Sequence, residues 1–283
     1  MTYSPEIIAH RGGTADAPEN TVTAIRHALD NGADTIWVTL QLSKDNQIVL
    51  YRPLDLKVLT NRMGAISAYN ANELAETDAG WSFTKDKGKS YPFRGKGIAI
   101  PTLESVLTLF PKTAFYLDIK SPDADPVTFG QTLLTTLKKT GSLSRTRVYS
   151  TDSRYVQALP AAIPRFETRD DTRTVLANIT MAHQCPLTTG TGTGTARWFG
   201  LELRREVRVV EKYTLGEGVS TAYLTWDKEA MTCFREKGKA HIILFGINSV
   251  KDYQTAVDLG ADGVLVDSPL EAKTYRSQVK SSQ

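Results

Sequence analysis

Short apolar runs alternate with segments of helical period along the whole 283-residue chain. The strand-like runs are Ile7–His10, Thr35–Leu42, Ile48–Tyr51, Ala114–Ile119, Arg147–Ser150, Trp198–Leu203, His241–Ile247 and Gly263–Val266. The helical patterns are Asn20–Asn31, Thr102–Leu109, Thr128–Lys139, Ser153–Leu159, Thr172–His183, Lys228–Glu236 and Val250–Leu259. Such alternation is typical of parallel βαβ units. At this length it predicts an α/β fold, a (β/α)8 TIM barrel forming a single domain over residues 1–283.

Two segments interrupt the alternation. Residues 53–100 show little periodicity, and we interpret them as an insertion after the second strand. Residues 188–195, TTGTGTGT, are of low complexity; a linker is the favoured interpretation and a lid over the site is the alternative. A doubly wound open sheet is the alternative fold, but the glycine-rich phosphate-binding motifs of its nucleotide-binding form are missing from the sequence.

Charge and hydropathy exclude several classes of partner. The formal net charge is only +3, so a basic surface for nucleic acid is not expected. No apolar run approaches the roughly 20 residues that cross a bilayer, and no membrane span is expected. The first residues lack a basic-then-apolar signal, which predicts a cytoplasmic location. A periplasmic or secreted protein whose signal had been removed would look the same.

Cys185 and Cys233 are the two cysteines of the chain. Two are too few for a disulfide framework or for a closed zinc site. We therefore expect two unpaired thiols. One disulfide in an exported protein is the alternative.

The run Thr35–Leu42 shows how a barrel strand would divide its side chains. Ile36, Val38, Leu40 and Leu42 alternate with Trp37, Thr39 and Gln41. In a barrel, one face of each strand packs on the helices and the other fills the lumen, which lines the active site at the C-terminal end. Trp37 is thus expected in the lumen, either as an apolar surface for substrate or as a core plug.

The same alternation places several polar residues at the C-terminal ends of strands. They are His10, Arg11, Asp118, Lys120, Glu202 and Arg204. A site rich in guanidinium and ammonium groups suits an oxyanion, most plausibly a phosphate. His10 is the strongest acid–base candidate because an imidazole titrates near neutral pH. For each residue taken alone, a structural ion pair is the competing interpretation.

A series of motifs resembles the glycerophosphodiester phosphodiesterase (GDPD) family. In order they are IIAHRGGTADAPENT (7–21), GAD (32–34), LSKDNQIVLY (42–51), IPTLESVL (100–107), LDIK (117–120), VYSTD (148–152), FGIN (245–248) and GADGVLVDSP (260–269). The resemblance implies a (β/α)8 barrel with an insertion after the second strand. It also implies hydrolysis of glycerophosphodiesters to an alcohol and glycerol phosphate, a reaction of lipid metabolism. Family members usually use Mg²⁺ or Ca²⁺ held by carboxylates, with two histidines as acid and base.

Position by position, the resemblance assigns roles to five residues. His10 and Arg11 match the first catalytic histidine and its phosphate-binding arginine. Glu19 matches the glutamate of the Pro-Glu-Asn-Thr motif. Asp118 occupies a position of a metal-binding glutamate, and Lys120 matches a lysine of the site.

The second strand departs from the family pattern. Two acids that bind metal in the family are replaced by Trp37 and Thr39, and the histidine–aspartate pair with the second catalytic histidine is replaced by Tyr51 and Arg52. Because hard divalent cations need several oxygen ligands, we expect no tightly bound Mg²⁺ or Ca²⁺ and no other cofactor.

Two functions are compatible with these replacements. In the first, the protein cleaves a small-molecule phosphodiester without a metal, as related phosphatidylinositol-specific phospholipases C do. Arg52 or Arg204, with Arg11 and Lys120, would then neutralise the phosphate. His10 would act as general base or nucleophile and Tyr51 would supply the acid. In the second, the protein is a catalytically impaired relative that binds a phosphodiester or a phosphorylated polyol.

Overall fold

The structure, a computed structural model, describes residues 4–187, 196–236 and 238–279. The segment 188–195, predicted as a linker or a lid, lies outside this part. The strands are β1 Glu6–His10, β2 Thr35–Leu42, β3 Ile48–Leu50, β4 Ala114–Ile119, β5 Thr146–Ser150, β6 Arg197–Glu202, β7 Arg204–Tyr213, β8 Gly216–Thr225, β9 Ala240–Phe245 and β10 Gly263–Val266. The α-helices are α1 Val22–Asp30, α2 Ala71–Ala75, α3 Leu103–Leu109, α4 Pro126–Lys139, α5 Ser153–Ala158, α6 Arg169–Ala182, α7 Lys228–Glu236, α8 Val250–Asp258 and α9 Pro269–Gln278. Short 3₁₀ turns occupy Leu56–Val58, Ile66–Ala68 and Leu143–Arg145.

Seven parallel strands form one curled sheet in the order β5-β4-β2-β1-β10-β9-β6. The first and last strands of this series in the chain, β1 and β10, therefore lie side by side. The segment 164–167 hydrogen-bonds to both outer strands: Val148 and Pro164 pair at 2.8 Å on one side, and Glu167 and Trp198 at 2.8 Å on the other. The predicted α/β fold is confirmed as a mixed fold with a curled parallel sheet, while the complete (β/α)8 barrel stays a prediction.

The run at residues 48–51 was expected among the parallel strands, and this is wrong. Its strand β3 pairs antiparallel with the end of β2, with Leu40 opposite Leu50. Only residues 43–47 separate the two strands, and a parallel crossover needs a dozen or more residues. The segment that lies beside β5 on its outer side is the short stretch at 164–167, and not the run at 48–51. It begins with a proline and shows little strand pattern in the sequence.

The sequence analysis did not predict the antiparallel ribbon formed by β7 and β8. It follows β6 directly and pairs Arg204 with Thr225 at its base and Tyr213 with Gly216 at its tip. Valines alternate with charged residues along β7, and a glycine follows the turn, so a hairpin signal was present in the sequence. Helix α9 was likewise not predicted.

Two layers of apolar side chains surround the sheet. Outside it, helices pack on residues such as Ile36, Val38 and Leu40 of β2. Inside it, the lumen holds Ile8, Trp37, Tyr116, Tyr149, Phe166, Ile243, Phe245 and Leu265. The predicted division of β2 between the two layers is therefore confirmed.

Residues 51–101 form a separate lobe between β3 and α3. A small apolar cluster holds it together and includes Tyr51, Leu56, Ile66, Leu74 and Ile100. That this lobe is an insertion, and that the chain is one domain, both stay predictions. Among the described residues, no helix combines the length and the apolar character that a bilayer crossing requires.

Cys185 and Cys233 form a disulfide, so the expectation of two free thiols is wrong. The bond links the segment after α6 to helix α7, and the two Cα atoms are 5.7 Å apart. Their sequence separation of 48 gave no sign of this proximity. It arises because α6 and α7 pack as neighbours on the same side of the sheet.

The disulfide should stabilise the protein by restricting the unfolded chain. For a loop of 48 residues the chain-entropy relation gives about 4 kcal/mol. We expect Cys185→Ser, at an exposed position, to lower the free energy of unfolding by about 2–4 kcal/mol. Urea denaturation of both proteins with and without dithiothreitol measures this difference. The reductant should weaken the wild type and leave Cys185→Ser unchanged; a wild type indifferent to reductant would contradict the prediction.

Candidate active site

The turn after β1 places the central residues of the site. Arg11, Gly12 and Gly13 follow His10 with φ angles of 52°, 83° and 97°, all in the left-handed region. A Cβ atom at Gly12 would lie 2.9 Å from the Cβ of Ala24. The two glycines are therefore required for the turn that carries His10 and Arg11 to the C-terminal end of the sheet.

His10 is held from both sides of its ring. Its Nδ1 lies 2.7 Å from Oδ1 of Asp267, and Nε of Arg11 donates to its Nε2 at 3.1 Å. Because a guanidinium can only donate, Nε2 must accept, and the neutral ring then carries its proton on Nδ1. The lone pair of Nε2 is thereby directed toward the cationic side of the site.

Asp267 is itself fixed by Asn248. The Asn248 amide donates to Oδ2 of Asp267 at 2.7 Å, and the Asp267 backbone N–H donates to Oδ1 of Asn248 at 2.8 Å. The hydrogen bond from His10 holds the pKa of Asp267 below its usual value. Asn248 and Asp267 thus form an orienting chain behind His10, and neither was among the predicted site residues.

Arg11 and Glu19 form the first ion pair of the site. Nη1 of Arg11 donates to both carboxylate oxygens of Glu19, at 2.7 and 2.8 Å. The next residue, Asn20, accepts a hydrogen bond from the backbone N–H of Thr39 on its side-chain oxygen at 2.8 Å. This bond connects the loop to β2. The carboxylate of Glu19 is therefore already compensated by a protein cation.

Lys120 and Asp118 form the second ion pair, at the end of β4. The Lys120 ammonium donates to Asp118 at 2.9 Å and to the Thr151 hydroxyl at 2.9 Å. Burial raises the pKa of Asp118, while the neighbouring Lys120 and His10 charges act in the opposite direction. These three residues therefore belong to one electrostatic environment.

Trp37 fills the lumen beneath these groups. The residue is 2% exposed. Its ring centroid lies 5.0 Å from that of Tyr149 and 5.2 Å from that of Phe245. Of the two interpretations offered for Trp37, the geometry supports the core plug. Thr39 is also buried and pairs in register with Asp118.

The residues at the family's metal positions do not fit a hard divalent cation. Asp118 faces the Lys120 ammonium, Trp37 is an aromatic plug, and Thr39 offers a neutral hydroxyl. The nearby Glu19 is also paired with a protein cation, Arg11. In the part of the chain that the structure describes, no group of three or more His, Cys, Asp or Glu residues is arranged to hold a metal. We therefore assign no catalytic step to a metal.

Tyr51 and Arg52 point in different directions. The buried Tyr51 hydroxyl donates to the backbone oxygens of Asp55 and Leu56, both at 3.1 Å, and burial raises its pKa. The hydroxyl is thus directed into the 51–101 lobe, and the structure does not bring it to His10. Arg52 is exposed and lines a pocket together with Lys120.

Glu202 and Arg204 pair with residues outside the His10 group. Arg169, at the start of α6, donates to both oxygens of Glu202 at 2.8 and 2.9 Å and to the Tyr149 hydroxyl at 3.1 Å. Arg204 pairs at 2.8 Å with Asp252 on α8. The sequence analysis did not identify Arg169, because it looked for site residues at strand ends. Arg169 is instead the first residue of helix α6.

Comparisons with known proteins identify the family of the chain. A model of the glycerophosphoryl diester phosphodiesterase family matches residues 10–271. The match begins at His10 and covers most of the curled sheet. The chain therefore belongs to this family.

Individual relatives place the chain within the family. It is 38% identical over 280 residues to the uncharacterized protein Rv2277c of Mycobacterium tuberculosis, covering 98% of this chain and 91% of that protein. The crystal structure of the glycerophosphoryl diester phosphodiesterase domain of Rv2277c superposes with a TM-score of 0.88, at 36% identity, covering 96% of this chain and 99% of that one. The glycerophosphodiester phosphodiesterase of Bacillus subtilis is 35% identical over 124 residues, 42% of this chain and 41% of that enzyme.

Asp267→Asn should lower stability at neutral pH. Both carboxylate oxygens accept hydrogen bonds, so an amide would set an NH₂ group against one of the two donors. Because the folded-state pKa is depressed, this contribution is present above the unfolded pKa of about 3.9 and is lost as the pH falls through the folded value. Allowing for solvent screening, we expect a loss of about 1 kcal/mol at pH 7 that shrinks below about pH 4.

Urea denaturation at pH 7 and pH 3 measures this effect. Asp30→Asn is the matched control, because Asp30 is exposed at the last residue of α1 and makes no ion pair with a described residue. The control should change stability little at either pH. A deficit of Asp267→Asn that is independent of pH would contradict the assignment.

Proposed function

We propose that this protein hydrolyses glycerophosphodiesters to an alcohol and glycerol phosphate without a tightly bound divalent cation. The observation that carries the proposal is the oriented His10, held by Asp267 and directed at Arg11. Membership of the glycerophosphoryl diester phosphodiesterase family supports phosphodiesterase activity in general. The absence of a suitable ligand set among the described residues supports the metal-free route.

His10 would act through Nε2. A substrate phosphate that binds the Arg11 guanidinium would displace its contact with His10 and leave the Nε2 lone pair free. Nε2 would then accept a proton from the water molecule that attacks phosphorus, or would itself attack phosphorus. The Asp267 carboxylate would stabilise the imidazolium that forms, because it accepts a hydrogen bond from Nδ1–H while the proton stays on the ring. A positioned general base of this kind typically contributes about 10²–10⁴ in rate.

Arg11 and Lys120, the cationic members of the two ion pairs, would bind the phosphate oxygens in place of the divalent cation that family members usually use. Arg11 and Lys120 are fixed by Glu19 and Asp118, so their donors are oriented before substrate arrives. Fixed donors stabilise charge that develops on phosphate oxygens without reorganisation. The Lys120 ammonium, rather than Tyr51, is the donor that we assign to the departing alcohol oxygen.

The alternative is a phosphodiester-binding protein without turnover. The replaced second histidine and the inward-facing Tyr51 hydroxyl are the observations in its favour. The oriented base and the oriented cations are arranged for proton transfer, and we therefore prefer the enzyme. A rise in melting temperature with glycerol phosphate, combined with no turnover on a broad panel of diesters, would reverse this preference.

We further infer that the protein works in an oxidising compartment. Structural disulfides persist outside the cytosol and are rare within it. The Cys185–Cys233 bond therefore favours the exported alternative over the cytoplasmic expectation.

Chelation should not abolish activity. Hydrolysis of bis(p-nitrophenyl) phosphate and of glycerophosphodiesters should proceed in EDTA at rates within about twofold of the untreated protein, because side-chain cations hold the phosphate. A family member that retains the acidic metal ligands serves as the chelation control. Loss of activity in EDTA that Mg²⁺ or Ca²⁺ restores would refute the metal-free route.

His10→Ala should lower kcat by at least about 10²-fold, because it removes the base while the phosphate-binding cations remain. His183→Ala is the matched control, since His183 lies at the exposed end of α6 and pairs with Glu229. Steady-state kinetics and circular dichroism of both variants test the assignment. Wild-type rates in a folded His10→Ala protein would show that His10 has no catalytic role.

A further inference from the structure

A pocket of about 340 Å³ opens beside Lys120. Its walls come from the loops after β3, β4 and β5 and from α5, and include Arg52, Leu54, Pro122, Asp152 and Tyr155. The volume lies within the usual range of small-molecule sites. Lys120 belongs both to this pocket and to the ion pair with Asp118. A phosphate bound at Lys120 would therefore extend one of its two substituents into the pocket.

The charged groups of the pocket are predominantly cationic. The exposed Arg52 guanidinium makes no ion pair with any described residue, so its donors are available to a ligand. The Lys120 ammonium donates to Asp118 and Thr151 and retains one further N–H. Asp152 is compensated, because Nη2 of Arg154 donates to it at 2.7 Å and the Arg154 backbone N–H at 3.0 Å. Within the lining itself, a positively charged substituent would therefore meet the cations Arg52 and Lys120 and no carboxylate without a cationic partner. Asp123 and Asp125, which act on Tyr155 from the adjoining loop, accept hydrogen bonds from Ser67 and from the Thr128 backbone.

The apolar walls do not form an aromatic cage. Tyr155 is the aromatic residue of the pocket lining, and its hydroxyl is directed at the backbone oxygens of Ser121 and Ala124. Its ring packs edge-on against Phe129 at 5.6 Å. Leu54 and Pro122 complete the apolar surface. Recognition of a quaternary ammonium group normally uses several aromatic faces, and this lining does not provide them.

We propose that this pocket binds the alcohol moiety of the phosphodiester and selects an uncharged or anionic polyol over a cationic amino alcohol. The inference rests on the proposed phosphodiesterase function, and it names the substrate class of that site. Arg52 would donate to the hydroxyl groups of the polyol, and Thr151 would accept from them. Leu54 and Pro122 would contact its carbon skeleton.

Four diesters with a common glycerol phosphate half test the selectivity. Glycerophosphoglycerol and glycerophosphoinositol carry polyols; glycerophosphocholine and glycerophosphoethanolamine carry cations. We expect kcat/KM for the polyol diesters to exceed that for the cationic ones by about tenfold or more. Arg52→Glu should reduce this ratio by about tenfold, because it places an anion in the pocket.

Lys44→Glu is the matched control. It makes the same change in charge at an exposed position in the turn between β2 and β3, outside the pocket lining. The control should retain the wild-type ratio. Equal kcat/KM for all four diesters, or a ratio that Arg52→Glu leaves unchanged, would overturn the proposal.

Binding separates this inference from the catalytic proposal. Calorimetric titration of His10→Ala with the same four diesters measures the preference of the pocket without turnover. Tighter binding of the polyol diesters supports the inference even if the wild type hydrolyses none of them, an outcome that contradicts only the proposed activity. Equal or tighter binding of the cationic diesters would overturn the inference even if the wild type is active.

Discussion

The hydrogen bond between His10 and Asp267 joins two residues 257 positions apart, at 2.7 Å. It exists because the sheet curls until β1 lies beside β10, so that the ends of both strands meet at one edge. Arg11, Glu19 and Asn248 are arranged around this pair by the loops that leave the same edge. If the sheet were open, the base would have no orienting partner, and the remaining polar groups would be separate surface ion pairs.

Charge compensation decides the chemistry that the site can support. Three carboxylates near His10 each have a partner within the protein: Glu19 pairs with Arg11, Asp118 pairs with Lys120, and Asp267 accepts hydrogen bonds from His10 and Asn248. A bare divalent cation would have to compete with these partners. The aromatic plug around Trp37 occupies the floor of the lumen and keeps the Asp118 carboxylate in a poorly solvated environment. These contacts support our proposal that the protein acts without a tightly bound divalent cation.

Much of the fold could be predicted from periodicity, because buried strands and amphipathic helices leave strong local patterns. The bounds of β2 and its division between lumen and helices were predicted correctly. Two features were predicted wrongly, one because a short connection was overlooked and one because its partners are distant in the chain. The antiparallel direction of β3 follows from a short connection, and the Cys185–Cys233 bond follows from the packing of α6 on α7.

The candidate site was predicted unevenly for the same reason. His10, Arg11 and Lys120 stand at strand ends, where the alternation of side chains indicates their positions. Tyr51 also stands at a strand end, but its hydroxyl donates to backbone oxygens of the 51–101 lobe. No local sequence pattern indicates these hydrogen bonds. Asn248 and Asp267 also end strand-like segments in the sequence, but the contact between them is recognisable only once β9 and β10 are known to be adjacent.

The disulfide has a consequence for the integrity of the chain. Cys185 and Cys233 close a covalent ring that contains β6, the β7–β8 ribbon and the start of α7. A single proteolytic cut within this ring, for example at the fully exposed Leu215 in the turn of the ribbon, would not release either part. Both halves of the sheet would remain tethered, and the nick would become visible on a gel only after reduction.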